Sequence, residues 1–166
     1  MENQLNIRFA GINDIDCIRE LALTIWPVAY KEILSPQQLD YMLDLIYSAP
    51  SLLEQMEKKH HQFVIEEMEG KPVGFASWSK GQADIWKLHK LYILTNIQKQ
   101  GAGRKLIDFV IDEVRKQNGT ALRLNVNRFN SARSFYEKIG FRIIAEEKID
   151  IGHDYVMDDY VMEKAL

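Results

Sequence analysis

The chain has 166 residues, 46% of them hydrophobic and 27% charged, a length and balance that suit one globular domain with a core of its own. A net charge of −3 and a pI near 5.8 exclude the basic footprint of a nucleic-acid binder, and no apolar run approaches the ~18 residues of a membrane span. A single cysteine, Cys17, excludes intrachain disulfides and Cys-x-x-Cys sites; with no signal-peptide pattern in the first residues, the expected location is the cytoplasm.

Asn6 to Ala10 alternates as a first strand. Asn13 then caps a helix with Ile15, Ile18, Ala22 and Ile25 on one face, ending near Pro27. Ser35-Pro36-Gln37-Gln38 has a capping-box pattern with proline at the first helical position, and Leu39, Met42, Leu43 and Ile46 form the apolar stripe behind it. A looser amphipathic stretch runs on to His60. Gln62 to Met68 and Pro72 to Trp78 form a hairpin around Glu69-Gly70-Lys71, followed by an extended run from Ile85 to Leu94. Gly103 to Gln117 is strongly helical, with Leu106, Val110 and Val114 on one face and Asn118-Gly119 as its stop. Ala121 to Asn127 returns to strand, Ala132 to Ile139 is a short helix, and Phe141 to Ile149 and Tyr155 to Met162 are strands with Gly152 in the turn. The order βααβββαβαββ predicts an α/β (mixed α+β) fold in a single domain, 1–166, with one central mixed sheet and helices on both faces.

Gln98-Lys99-Gln100-Gly101-Ala102-Gly103-Arg104 lies between a strand and the best helix in the chain. Glycines let backbone N–H groups close on a ligand oxygen, and the next helix offers unpaired donors and its positive dipole end, a geometry that favours a pyrophosphate. Lys99, Arg104 and Lys105 add positive charge there; the plain alternative is a glycine loop that only leads into a helix. Gly103-Arg104-Lys105 is not a Walker A Gly-Lys-Ser/Thr, and a dinucleotide fingerprint would follow the first strand of a βαβ unit. Coenzyme A is the remaining common pyrophosphate ligand.

With Gln98, Gly101 and Gly103 satisfying Gln/Arg-x-x-Gly-x-Gly/Ala, the chain resembles the GNAT acetyltransferases. A second block looks like that family's later strand-helix-strand segment: Leu124-Asn125-Val126-Asn127, Asn130, Ala132, and Phe135-Tyr136-Glu137-Lys138-Ile139-Gly140-Phe141. The hairpin from Glu69 to Phe75 and the strand Lys90-Leu91-Tyr92-Ile93 are also similar, so the resemblance covers nearly the whole chain. It implies the GNAT fold, with a mostly antiparallel sheet, and acetyl-CoA as co-substrate with no metal. His60, His61 and His153 have no metal-like spacing.

The resemblance also assigns roles. Gln98, Lys99, Gln100, Gly101, Ala102, Gly103, Arg104 and Lys105 would surround the pyrophosphate. Leu91, Tyr92 and Ile93 would pair through main chain with the pantetheine in a splayed gap between the fourth and fifth strands. The Ile93 N–H would meet the oxyanion, and Tyr136 would donate a proton to the departing thiolate. Asn130 stands one residue closer to Tyr136 than in many relatives, which leaves Asn127 or Ser131 as alternatives for its contact with the pantetheine. His89 occupies a position where many relatives carry a glutamate; an imidazole there is a candidate base acting through water, against a structural histidine.

Trp26 and Tyr30 fall where such enzymes bend over the acceptor. Asp150, Asp154, Asp158 and Asp159 around the last hairpin, like Glu66, Glu67 and Glu69 around the earlier one, mostly read as solvated turn charges. The ending Tyr155-x-Met157-x-Asp159-Tyr160-x-Met162-x-Lys164 is similar to bacterial polyamine acetyltransferases. The expected function is transfer of acetyl to a primary amine of a small molecule such as a polyamine, by direct attack in a ternary complex. A peptide or protein acceptor and a non-catalytic acyl-CoA-binding module are the alternatives. Family members are often dimers, which leaves a homodimer open.

Overall fold

Glu69 and Gly70 both take positive φ, 51° and 79°, the sense of turn that matches the twist of adjacent strands, so the chain doubles back after two residues. This lays β3 (Lys71–Lys80) antiparallel on β2 (Gln62–Met68), with Gln62 opposite Trp78 and a register shift between Glu66 and Glu67. The structure is a computed structural model and describes residues 4–166. Among these, β1 (Leu5–Ala10) pairs antiparallel with the other edge of β2, and the seven-stranded sheet has the order β1-β2-β3-β4-β5-β7-β6. β4 (Ile85–Ile93) runs parallel to β5 (Ala121–Asn127); β7 (Tyr155–Ala165) is antiparallel to β5 and to β6 (Arg142–Gly152). The mixed, mostly antiparallel sheet expected from the sequence is thus present.

Helix α1 (Ile15–Ala29) starts one residue later than the expected cap, because Asn13 lies in a short 3-10 turn and Asp14 takes the cap position. α1 ends at Ala29, near Pro27 as expected; Pro27 falls in the last turn, where its missing N–H costs one bond, and Tyr30 N still donates to Trp26 O at 2.9 Å. Helix α2 (Pro36–Tyr47) is capped as expected, Ser35 Oγ accepting from Gln38 N at 3.1 Å. The looser stretch beyond it is a separate helix, α3 (Ala49–Glu57). Ser48 interrupts with an extended backbone, ψ 151°, and its side chain caps the new helix by accepting from Ser51 N. Helix α4 (Ala102–Lys116) follows β4, and α5 (Ala132–Lys138) follows β5. The last turn also differs from expectation: His153 and Asp154, both at positive φ, make it, while Gly152 closes β6.

The chain divides into two compact units, residues up to Ser79 with Lys90–Val110, and Lys80–His89 with Ile111–Leu166. In the first, β2 and β3 carry apolar side chains on both faces. Phe9, Trp78 and Phe109 meet on one, with ring centroids 5.7–6.5 Å apart. Trp26, Tyr47, Phe75 and Tyr92 meet on the other at 5.5–5.9 Å. In the second, Leu122, Leu124 and Met162 are buried in the sheet and Tyr136 packs edge-on against Phe141 at 5.6 Å. β6 is the edge strand at the end of the sheet opposite β1 and is exposed along nearly its whole length.

Gly74 in β3 is required by contact, not by backbone angle. A Cβ there would overlap Ile93 Cδ1 and lie 2.7 Å from the Tyr92 carbonyl oxygen, which is main chain and cannot swing away. Gly74→Ala is expected to destabilise the protein by about 1–3 kcal/mol, the usual range for overpacking, as read by urea unfolding; an unchanged midpoint would show that β4 yields freely.

Candidate active site

The end of β4 is built by hydrogen bonds that sort its two edges. Leu94 N donates to Val73 O on β3 at 2.8 Å. Successive strand N–H groups point to opposite edges, so the Ile93 N–H is turned away from β3, together with the Ile93 carbonyl. That carbonyl accepts from Gln98 Nε2 at 3.3 Å, so the Gln98 side chain is spent on holding the strand end. The pairing of β4 with β5 runs only from Ile85 opposite Ala121 to Leu88 opposite Leu124; the positions expected to meet the coenzyme, Leu91, Tyr92 and Ile93, come after it.

A short 3-10 turn, Gln98–Gln100, then leads through Gly101 into α4. Gly101 is left-handed at φ 80°, and a Cβ built on it would meet nothing within 4 Å, so glycine is needed there for its φ and the space above it is open. Ala102 is fully buried and anchors the first turn, whose leading N–H groups have no helical partner by geometry. These features fit a pyrophosphate. Lys99, Gln100 and Gly101 are exposed and Gly103 is half-buried. The other two cations are occupied: Arg104 Nε donates to both oxygens of Asp108 at 3.1 Å, and Lys105 Nζ donates to the Leu5 carbonyl on β1.

Beside β4, the rings of Trp26 and Tyr30 lie 4.6 Å apart, tilted by 43°, and are buried, 3% and 6% exposed; Tyr92 keeps partial exposure, and its hydroxyl lies 2.9 Å from that of Tyr30. Lys90, two residues earlier in the strand, is buried among rings. Its ammonium lies 5.4 Å from the Phe63 ring centroid and 5.7 Å from that of Tyr47, and donates to Gln55 Oε1 at 2.6 Å. Gln55 in turn donates to Ile46 O and Ser51 Oγ, tying α3 to the end of α2. Burial, helped by Lys59, lowers the Lys90 pKa to about 7.

In the second unit His89 is half-buried on β4 and Tyr136 is buried on α5 between Phe135 and Phe141. Asn130 Oδ1 accepts from Ala132 N at 2.9 Å, which commits that oxygen to the start of α5; Asn127 does the same for Phe129 N. The acidic residues of the last hairpin are not simply solvated. Arg128 donates to Asp158 and Glu146 and stacks on Tyr160, while Asp159 is buried, accepts from Asn125 Nδ2, and has its carboxyl pushed up by that burial.

The sequence profile of the acetyltransferase (GNAT) domain matches residues 31–162. The chain belongs to this family. Its chemistry is therefore acetyl-CoA-dependent N-acetyl transfer. An uncharacterized N-acetyltransferase of Mycobacterium tuberculosis is 26% identical over 156 residues, covering 93% of this chain and 99% of that protein. The crystal structure of the PaiA N-acetyltransferase of Thermoplasma acidophilum in complex with coenzyme A is 26% identical, with a TM-score of 0.83 over 98% of this chain and 99% of that one. The Escherichia coli ribosomal-protein-S18-alanine N-acetyltransferase, 19% identical with a TM-score of 0.74 over 98% of this chain and 94% of that one, shares the fold.

Two ionisable groups of this GNAT domain were not singled out from the sequence. Lys90 has a signal, a charge set between Leu88 and Leu91 in a strand; Glu66, grouped above with turn charges, is instead fully buried on β2. Cys17, left aside from the chemistry, has its thiol pushed up by burial, which makes it a poor nucleophile.

Lys90 makes a pH prediction whose sign follows from its lowered pKa. Between about pH 7 and the ordinary lysine range the unfolded chain binds the proton that the folded chain has lost, so this group favours folding more as pH rises. The stability of wild type relative to Lys90→Met should rise from pH 7 to 9.5 by at most about 1.4 kcal/mol per pH unit. A difference that stays flat in parallel urea titrations would show that Lys90 keeps its charge in the fold.

Proposed function

We propose that this domain acetylates the primary amine of a small molecule of polyamine type, by direct attack on the thioester in a ternary complex. Bound acetyl-CoA supplies the activated acyl group. The observation that carries the proposal is the end of β4: an N–H at Ile93 turned away from β3, followed closely by a left-handed Gly101 and the open head of α4.

Gly101, Ala102, Gly103 and Arg104 hold the pyrophosphate through main-chain N–H groups. Leu91, Tyr92 and Ile93 pair through main chain with the pantetheine, and the Ile93 N–H stabilises negative charge on the carbonyl oxygen. One such donor contributes about 10²–10³ in rate. Tyr136 gives a hydrogen bond or proton to the leaving thiolate. An alkylamine is neutral in only about one molecule in a thousand at pH 7, so its proton must leave before attack. The ring of Tyr92, backed by Trp26 and Tyr30, suits a methylene chain carrying ammonium groups.

Gly103→Asp would set a carboxylate against the pyrophosphate. Calorimetry with acetyl-CoA should show affinity weakened tenfold or more at unchanged Tm; unaltered affinity in the folded variant would remove the turn from the site. Tyr136→Phe keeps the apolar volume and deletes one hydroxyl, so the single-turnover rate should fall about tenfold with coenzyme affinity intact. An unchanged rate would make Tyr136 a core residue only. Coenzyme release measured over a panel of amines tests the acceptor. Turnover with spermidine is expected, turnover restricted to peptide amines would favour a protein acceptor, and none with any amine would leave an acyl-CoA-binding module.

A further inference from the structure

Glu66 is the most anomalous side chain in the first unit. It is 0% exposed, and neither carboxyl oxygen has a hydrogen-bond partner. A carboxylate in that setting is costly, and a buried carboxyl without a partner takes up a proton instead. Its surroundings follow from register. Glu66 lies opposite Ile7 on β1 and Gly74 on β3. Ile7 shares its face with Phe9, whose ring meets Phe109 of α4, so Glu66 points toward α4. Over Gly74 lies the Ile93 side chain, the last residue of β4. From α4 the charged group that acts on Glu66 is Lys105, in the first turn. β1 presents Ile7 and Phe9 on this face, and β3 presents Gly74 and Ala76, none of them titratable. The neighbouring Glu67 is paired with Arg8, which also holds Asp14. The carboxyl is therefore flanked by the two ends of the proposed coenzyme turn, the close of β4 and the head of α4.

We propose that Glu66 takes up a proton when coenzyme A binds, so that its carboxyl is neutral beneath the occupied turn and the site loses affinity as the carboxyl ionises. The step is a simple protonation, with the proton drawn from solvent: a carboxylate becomes a carboxylic acid while anionic phosphates arrive at the head of α4. Physical reasons on both sides agree. Without ligand, Lys105 and the positive end of the helix favour the carboxylate and work against burial, and the balance leaves the pKa at about 7. Phosphates placed at the same helix end cancel that positive potential and leave burial unopposed. Linkage then requires that whatever raises the carboxyl's proton affinity on binding also weakens binding as pH rises. Glu66 acts through the potential at α4 and touches no substrate, so it is a positioning residue.

The inference rests on the coenzyme site proposed above, and the test separates the two. Coenzyme A binding is followed by titration calorimetry at pH 7 in buffers of different ionisation enthalpy, with wild type, Glu66→Gln and Glu66→Met. The first variant keeps shape and polarity without a titratable proton, and the second supplies a folded comparison should a buried amide be poorly tolerated. Wild type is expected to take up as much as about half a proton more than either variant, since about half the carboxyls are ionised at a pH equal to their pKa. Its affinity should also fall severalfold relative to the variants between pH 6 and 8, a comparison in which the coenzyme's own phosphate titration cancels. Equal proton uptake and parallel pH profiles in all three would overturn the role of Glu66 and leave the coenzyme site standing. Absence of binding in wild type would overturn the site itself, and the inference with it.

Discussion

The hydrogen bond from Leu94 N to Val73 O decides which way β4 presents its main chain, and the candidate site depends on that choice. A strand residue can give its N–H to only one edge. By spending Leu94 on β3, the chain leaves Ile93 facing the other side, and Gln98 steadies the same peptide from the carbonyl end. Gly74 lets the arrangement close, because any side chain there would push Ile93 off β3. The chemistry of an acyl thioester asks little of side chains at this point. It asks for a donor fixed in place before the substrate arrives, which a strand tied on one edge provides.

Charge is handled differently on the two faces of the first unit. On one, Lys90 is enclosed by rings and given a single amide acceptor, so the cost of its burial is met partly by Gln55 and partly by loss of its proton. On the other, Glu66 receives no hydrogen bond at all. Both groups are brought near neutrality at physiological pH, yet their slopes are opposite. Raising the pH relieves the burden of a buried amine and increases that of a buried carboxyl.

Features written in short stretches of sequence were legible. The cap at Ser35, the two-residue turn at Glu69-Gly70 and the glycine entry to α4 each depend on residues within a few positions of one another, and each forms as its local chemistry dictates. The apolar periods of α1, α2 and α4 likewise carry their own reading frame. What sequence concealed was lateral. Ser48 starts a new helix inside one amphipathic stretch because its hydroxyl finds Ser51 N, and either a continuous or a broken helix would have matched the same apolar pattern. Glu66 and Glu67 are adjacent and chemically alike; one is sealed in the sheet and the other is paired with Arg8, and only register and the shift between them distinguish the two. Arg128 gathers Asp158 and Glu146 from two other strands, so its effect on the acidic hairpin emerges only after the sheet has formed. In the site itself, the glycine turn was readable, while the engagement of Lys105 with β1 and of Gln98 with Ile93 was not.

The position of β6 at the end of the sheet has a consequence for how far that sheet can grow. An outermost strand exposes a row of main-chain donors and acceptors to any extended chain that drifts past. Here the middle of the strand reads Glu146-Glu147-Lys148, and register shifts fall near both ends, between Ile143 and Ala145 and between Asp150 and Gly152. A newcomer would have to desolvate charges at the centre and follow an irregular backbone at either side, so the isoleucines exposed along this edge do not by themselves make it a template for another strand.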